Sequence, residues 1–150
     1  MNTALVIFNG IRFPFYLVDH VIAWSKNNNA NLHALFIKAK HEVNEGYIFP
    51  SDLDAAEELS DNSDAEQGDE HVIQSQIKIL EDMAKTKDIP FKSEVLIEPS
   101  LEDILAKAKG QNILFIDHDF NEEGILSVTR WKLGNLIKKS PCPVEAIKRL

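Results

Sequence analysis

The chain has 150 residues, 44% of them hydrophobic and 27% charged, with a formal net charge of −8. That length suits one compact domain with a buried core, and no apolar run reaches the roughly 18 residues that span a bilayer, so no membrane partner is expected. A single cysteine, Cys142, rules out an internal disulfide.

The first residues lead straight into a strand-like run, without the basic-then-apolar pattern of a signal peptide, and a cytoplasmic location is the expectation. Charge is unevenly spread. Residues 51–70 hold nine carboxylates and no lysine or arginine, so the other 130 residues sum to +1. Residues 125–150 carry six bases against Glu145 alone. An almost neutral body with an acidic insert and a basic end lacks the dominant basic face of a nucleic-acid binder, and no nucleic-acid partner is expected.

Taken in order, residues 4–8 form a continuous apolar run suited to a strand buried on both faces. Asn9 and Gly10 end it. Pro14 fits the first turn of a helix, and Phe15, Val18 and Ile22, with Val21 beside them, predict its buried stripe. Asn27, Asn28 and Asn29 stop that helix, since asparagine tolerates the left-handed conformation. Residues 32–39 supply a second strand. From about 40 to 70 no period holds, and the acidic stretch is poor in large hydrophobes. It reads as a flexible insert with at most one helical turn at 55–59.

Ile73, Ile77, Leu80 and Ala84 then restore a helical stripe, which Asp88 and Pro90 end. Residues 91–97 alternate partly, as a strand near a sheet edge does. Ser100 and Asp103 resemble a capping box; Leu101, Ile104, Leu105 and Ala108 give the apolar face, and Gly110 is a natural terminator. Residues 112–117 form a buried strand and 118–127 a polar loop. A helix is predicted from Ser127 to Ser140, with Trp131, Leu133 and Ile137 facing the sheet. Residues 144–147 close the chain as a strand, where Glu145 requires one exposed side. Five strands alternating with four helices predict a single doubly wound α/β domain, a parallel sheet with helices on both faces. The ligand site of such a sheet lies at the carboxyl ends of its strands, so the loop after Asp117 is the stretch to watch.

Several segments together resemble the universal stress protein family. Asn29 to Ile37 is similar to its second strand, Ile89-Pro90 to the approach to its third, and Ser140-Pro-Cys-Pro-Val144 to its final helix end and strand entry. The resemblance covers the chain apart from residues 51–70. It implies the strand order 3-2-1-4-5 and a homodimer through the last strand. Some members of the family bind ATP through an aspartate after strand one, backbone of strand two, and a Gly-x-x-Gly loop followed by a Gly-Ser/Thr pair. Those glycines let backbone N–H groups approach phosphate oxygens without a Cβ in the way.

On this pattern the nucleotide-binding positions fall at Asn9, Gly10, Ile37, Gly124, Gly134 and Asn135. Gly124 and Gly134 keep the nine-residue separation, but Asn9 replaces the aspartate, Asn121 the first glycine, and Asn135 the hydroxyl residue. Gly134 also stands about one helical turn too close to Pro143. With a helix from Ser127, Gly134 becomes a mid-helix residue packed closely, and the pocket is read as degenerate. No cofactor is expected on this reading; ATP or AMP is the alternative.

Asp117, His118 and Asp119 begin like a calcium loop, yet Glu122 and Val128 replace the glycine and the glutamate such a loop requires. They are the only basis for a further alternative, a small metal-dependent phosphate-ester hydrolase. No catalytic residue and no metal ligand is assigned, and an enzyme is the less favoured class. Arg12, Arg130 and Lys132 are candidate phosphate contacts. The acidic insert is expected to be a solvated linker, with two sharper options: folding over the basic end, or docking on a basic protein partner.

Overall fold

The computed structural model describes residues 2–10, 12–38, 53–120 and 131–149, with side chains in the third stretch from Glu70 onward. The strands are β1 (Asn2–Asn9), β2 (Ala30–Lys38), β3 (Phe91–Ile97), β4 (Ile113–Asp117) and β5 (Val144–Ile147). The helices are α1 (Phe15–Asn27), α2 (Leu53–Thr86), α3 (Leu101–Ala108) and α4 (Leu133–Lys139). All four strand pairings are parallel, in the order β3-β2-β1-β4-β5. This is the order the resemblance implies.

Residue alternation divides the core into two layers. Ala4, Val6, Phe8, Leu32, Ala34, Phe36 and Phe115 meet Leu17, Val18, Val21 and Ile22 of α1 and Ile73, Leu80 and Ala84 of α2. Leu5, Ile7, Leu35, Ile37, Leu114 and Ile116 meet Leu101, Ile104 and Ala108 of α3 and Leu136 of α4. Burial on both faces explains why β1 and β2 read as unbroken apolar runs. β3 lies at one edge and leaves Val95 and Ile97 exposed.

Local signals set the helix ends. Ser100 Oγ accepts from the Asp103 N–H while the Asp103 carboxylate accepts from the Ser100 N–H, completing the capping box of α3. Such a cap is worth about 1 kcal/mol. Asn29, at φ +50°, turns the chain out of α1, and Gly110, at φ +85°, turns it out of α3.

Three expectations change. The stripe of α1 is Leu17, Val18, Val21 and Ile22, while Phe15 is 60% exposed, because at 100° per residue it stands about a quarter turn from the centre of that stripe. α2 is helical from Leu53, inside the segment expected to be flexible. Its alanines, leucine and glutamates are good helix formers, and acidic residues suit the amino-terminal half of a helix dipole. Residues 39–52 lie outside the described residues. The last helix starts at Leu133, not Ser127, and Lys132 is its N-cap. Trp131 and Leu133 pack on the core as expected, Leu136 is buried beside them, and Ile137 is exposed. Ser127 itself lies outside the described residues.

Candidate functional site

Strand order reverses between β1 and β4, and the crevice above their carboxyl ends is where an open parallel sheet holds a ligand. Here that crevice is crossed by side chains bonded to one another. Asn9, the last residue of β1, is buried; its Nδ2 donates to the Phe120 carbonyl at 3.0 Å. Asp117, the last residue of β4, is 4% exposed. Its Oδ1 accepts from the Tyr16 hydroxyl at 2.6 Å and from the Asp119 N–H at 3.1 Å. Its Oδ2 stands 3.5 Å from Arg12 Nη2, and Arg12 Nη1 donates to the Asp119 carbonyl at 3.0 Å. Burial and the neighbouring Asp117 carboxylate push the Tyr16 hydroxyl up to about 12.

Phe120 closes the crevice from the β4 side. It is 1% exposed and stacks on Trp131 with ring centroids 5.3 Å apart, and Trp131 Nε1 donates to the Pro99 carbonyl at 3.1 Å. Between Asn9, Arg12, Pro14, Asp117 and Phe120 a cavity of ≈ 10 Å³ is left, about the volume one water occupies.

The sequence-derived nucleotide positions divide into two groups. Asn9, Gly10 and Ile37 come together: Gly10 turns the chain at φ +61° and its N–H donates to the Ile37 carbonyl at 2.6 Å. A Cβ on Gly10 would stand 3.8 Å from that carbonyl, so conformation rather than crowding favours glycine there. The Ile37 backbone, expected near the adenine-facing position, thus already accepts one hydrogen bond through its carbonyl. Gly134 and Asn135 lie in the first turn of α4, both exposed, and the Asn135 N–H donates to the Lys132 carbonyl at 3.0 Å. Among the described residues nothing stands within 4 Å of where a Gly134 Cβ would be, so the expected mid-helix packing role is replaced by a position near a helix start. Gly124 and Asn121 lie outside the described residues.

Of the other candidates, Arg12 is paired with Asp117 rather than facing solvent. His118 is exposed, with Nδ1 3.3 Å from Asp119 Oδ1. Among the described residues no group of three or more histidines, cysteines or carboxylates is placed to hold a metal ion. Tyr16, Phe120 and Trp131 escaped notice as site residues. An aromatic on a helix or in a loop reads as core, and only the meeting of β1, α1 and β4 shows what they touch.

No family model and no curated protein sequence matches the chain. Solved structures do. The universal stress protein UspA from Lactobacillus plantarum superposes with a TM-score of 0.60 at 17% identity, over 98% of this chain and 99% of that one. The chain has the universal stress protein fold. A universal stress protein from Archaeoglobus fulgidus in complex with dAMP matches at 0.56 and 12%, over 99% and 98% of the two chains. An Arabidopsis thaliana family protein with AMP bound matches at 0.55 and 10%, over 100% and 93%. Within this universal stress protein fold, no helix among the described residues is long and apolar enough to cross a membrane.

Proposed function

We propose that this chain is a non-enzymatic regulatory or stress-response protein of the universal stress protein type, acting in the cytoplasm. Among the described residues, its switch-point crevice is occupied by its own side chains in place of a nucleotide. The observation that carries this reading is the Tyr16–Asp117–Arg12 network, which with Asn9 and Phe120 leaves ≈ 10 Å³ between the two central strands. The hydrolase alternative is disfavoured because Asp117, its main candidate ligand, is engaged by Tyr16 and Arg12. The partner is expected to be a basic protein surface that meets the acidic segment 51–70.

A nucleotide-binding reading is favoured by a separate observation: relatives of the same fold are described with AMP and with dAMP bound. Acid release and mass spectrometry of freshly purified protein, followed by ATP and AMP titration calorimetry with and without magnesium, separate the two. No released nucleotide and no heat at millimolar ligand is the expected result. Stoichiometric adenine nucleotide would overturn the filled-crevice reading and return Gly124, Gly134 and Asn135 to the site.

A further inference from the structure

β3 forms one edge of the sheet, and its backbone groups point in two directions. The Leu32 N–H donates to the Pro90 carbonyl and the Glu98 N–H to the Lys38 carbonyl, at the two ends of the ladder with β2. Between them the register sets Leu32 against Phe91 and Lys38 against Ile97. In a parallel ladder every second residue faces the neighbouring strand, so Lys92, Glu94 and Leu96 turn their N–H and C=O groups to β2. Phe91, Ser93, Val95 and Ile97 turn theirs outward, and none of them is proline. Among the described residues no backbone group meets this row.

The side chains of β3 alternate as well. Phe91 packs in the α1/α2 layer and Leu96 in the α3/α4 layer, which puts Phe91, Ser93, Val95 and Ile97 on the α2 face. Val95 and Ile97 are exposed there, so α2 leaves the outer flank of β3 open. An edge strand of seven residues with exposed β-branched side chains is a template for another strand. The α3 face of the same strand carries one charge of each sign. Lys92 is exposed. Glu94 is fixed, with Oε2 2.7 Å from His33 Nε2 and Oε1 accepting from Lys107 Nζ at 2.8 Å, yet 34% of its side chain stays exposed.

We infer that β3 pairs antiparallel with β3 of a second copy of this chain, about a twofold axis at Ser93. In that register the outward groups match. Ser93 exchanges two hydrogen bonds with Ser93 of the second copy, and Phe91 and Val95 exchange two each with its Val95 and Phe91. Lys92 and Glu94 stand directly opposite Glu94 and Lys92, in the non-hydrogen-bonded positions where side chains come closest. On the other face Phe91 meets Val95, an aromatic–β-branched pair of the kind that stabilises sheets. Moving the axis to Lys92 or Glu94 opposes like charges, and moving it to Val95 sets Glu94 against Leu96. The pairing is isologous, and the short, charged β5 guards the other edge, so assembly closes at two. Seven residues a side is far below the about 20–30 of a stable interface, so half-association falls at about 10⁻⁴ M and the chain is a monomer at micromolar concentration.

The test is sedimentation equilibrium of the full-length protein from about 10 µM to about 1 mM, with amide hydrogen exchange at both ends of that range. The mean mass should rise from 17.0 kDa towards twice that value. Exchange at Phe91, Ser93 and Val95 should slow about fivefold with concentration. Ser93→Pro removes the outward N–H at the axis and leaves the ladder with β2 intact, a place where an edge strand tolerates proline. Lys92→Glu sets like charges opposite each other. Each should weaken association about tenfold or more while urea unfolding stays cooperative. Lys92→Glu changes an exposed side chain only, and it carries the test alone if the proline variant does not fold. A mass that stays at 17.0 kDa throughout would overturn the assignment. So would a dimer that persists unchanged in Lys92→Glu, or one whose formation leaves Ser93 exchange untouched. None of these outcomes depends on whether the switch-point crevice takes a nucleotide.

Discussion

The Tyr16 hydroxyl donates to Asp117 Oδ1 at 2.6 Å, tying the first turns of α1 to the end of β4 across the point where strand order reverses. Asp117 is nearly fully buried, so the phenol replaces a water that the carboxylate would otherwise keep. Tyr16→Phe removes that donor and leaves the carboxylate to Arg12 and one N–H. Losing a hydrogen bond to a buried charged group costs about 1–3 kcal/mol, which urea denaturation should register as a lower midpoint with an unchanged slope. The pH dependence has a definite sign. A phenol raised from 10.0 to about 12 contributes stability that is whole below pH 10 and lost as pH rises towards 12. Asp117→Asn should bring the phenolate titration, followed by absorbance, back towards 10. A wild-type midpoint near 10 would show that the contact is not formed in solution.

The chain of His33, Glu94 and Lys107 makes acid sensitivity a second prediction. Burial is the main cause that lowers His33 from 6.5, and the Lys107 hydrogen bond is the main cause that lowers Glu94 from 4.5. Both groups therefore bind protons more readily in the unfolded chain. Their stability contribution is present above 6.5 and above 4.5 respectively, and is lost as pH falls below each value. Urea midpoints should decline in two stages on acidification. His33→Gln, which keeps a donor for Glu94 but does not titrate, should flatten the upper stage and leave the lower one. An unchanged upper stage in His33→Gln would assign that stage to another group.

Much of this architecture is legible in residue order because burial and period coincide. β1 and β2 are apolar on both faces, Ile73 to Ala84 repeats at helical spacing, and Ser100 with Asp103 marks a helix start in both sequence and structure. The failures are physical too. Phe15 shares the spacing of Val18 and Ile22 yet is exposed, because the buried face is centred on Leu17, Val18, Val21, Ile22 and Ser25 and leaves Phe15 at its margin. The helix from Leu53 has no apolar stripe in its first half to announce it, only residue propensities. The crevice is illegible for a different reason. Asn9, Arg12, Tyr16, Asp117 and Phe120 come from segments more than 100 positions apart, and only the strand order places β1 beside β4.

Helix α2 gives a third prediction. Its 34 residues span about 51 Å, roughly twice the length of the strands it lies against, and its described core contacts come from Ile73, Ile77, Leu80, Met83 and Ala84. Lys38, at the carboxyl end of β2, has its Nζ 3.9 Å from Glu70 Oε2, so the 17 helical residues before Glu70 continue from that level of the sheet. Deleting residues 53–69 should lower the far-ultraviolet helical signal while changing unfolding free energy by less than about 1 kcal/mol. Loss of the cooperative transition would mean that the amino-terminal half of α2 belongs to the core.

The last strand decides assembly. β5 is four residues long and forms the second sheet edge, with Glu145 exposed and its carboxylate 3.3 Å from His20 Nε2. A homodimer through this strand, the arrangement the family resemblance implies, would be isologous and would bring two copies of Glu145 together near its axis. Like charges opposed across paired strands are destabilising, and charge on an edge strand is a common guard against such pairing. Sedimentation equilibrium at micromolar concentration should therefore return the 17.0 kDa monomer. Glu145→Val, which removes the charge and adds a strand-favouring side chain, should move the equilibrium towards twice that mass. A wild-type protein already at twice that mass would mean that Glu145 does not guard the edge, and the dimer would then stand.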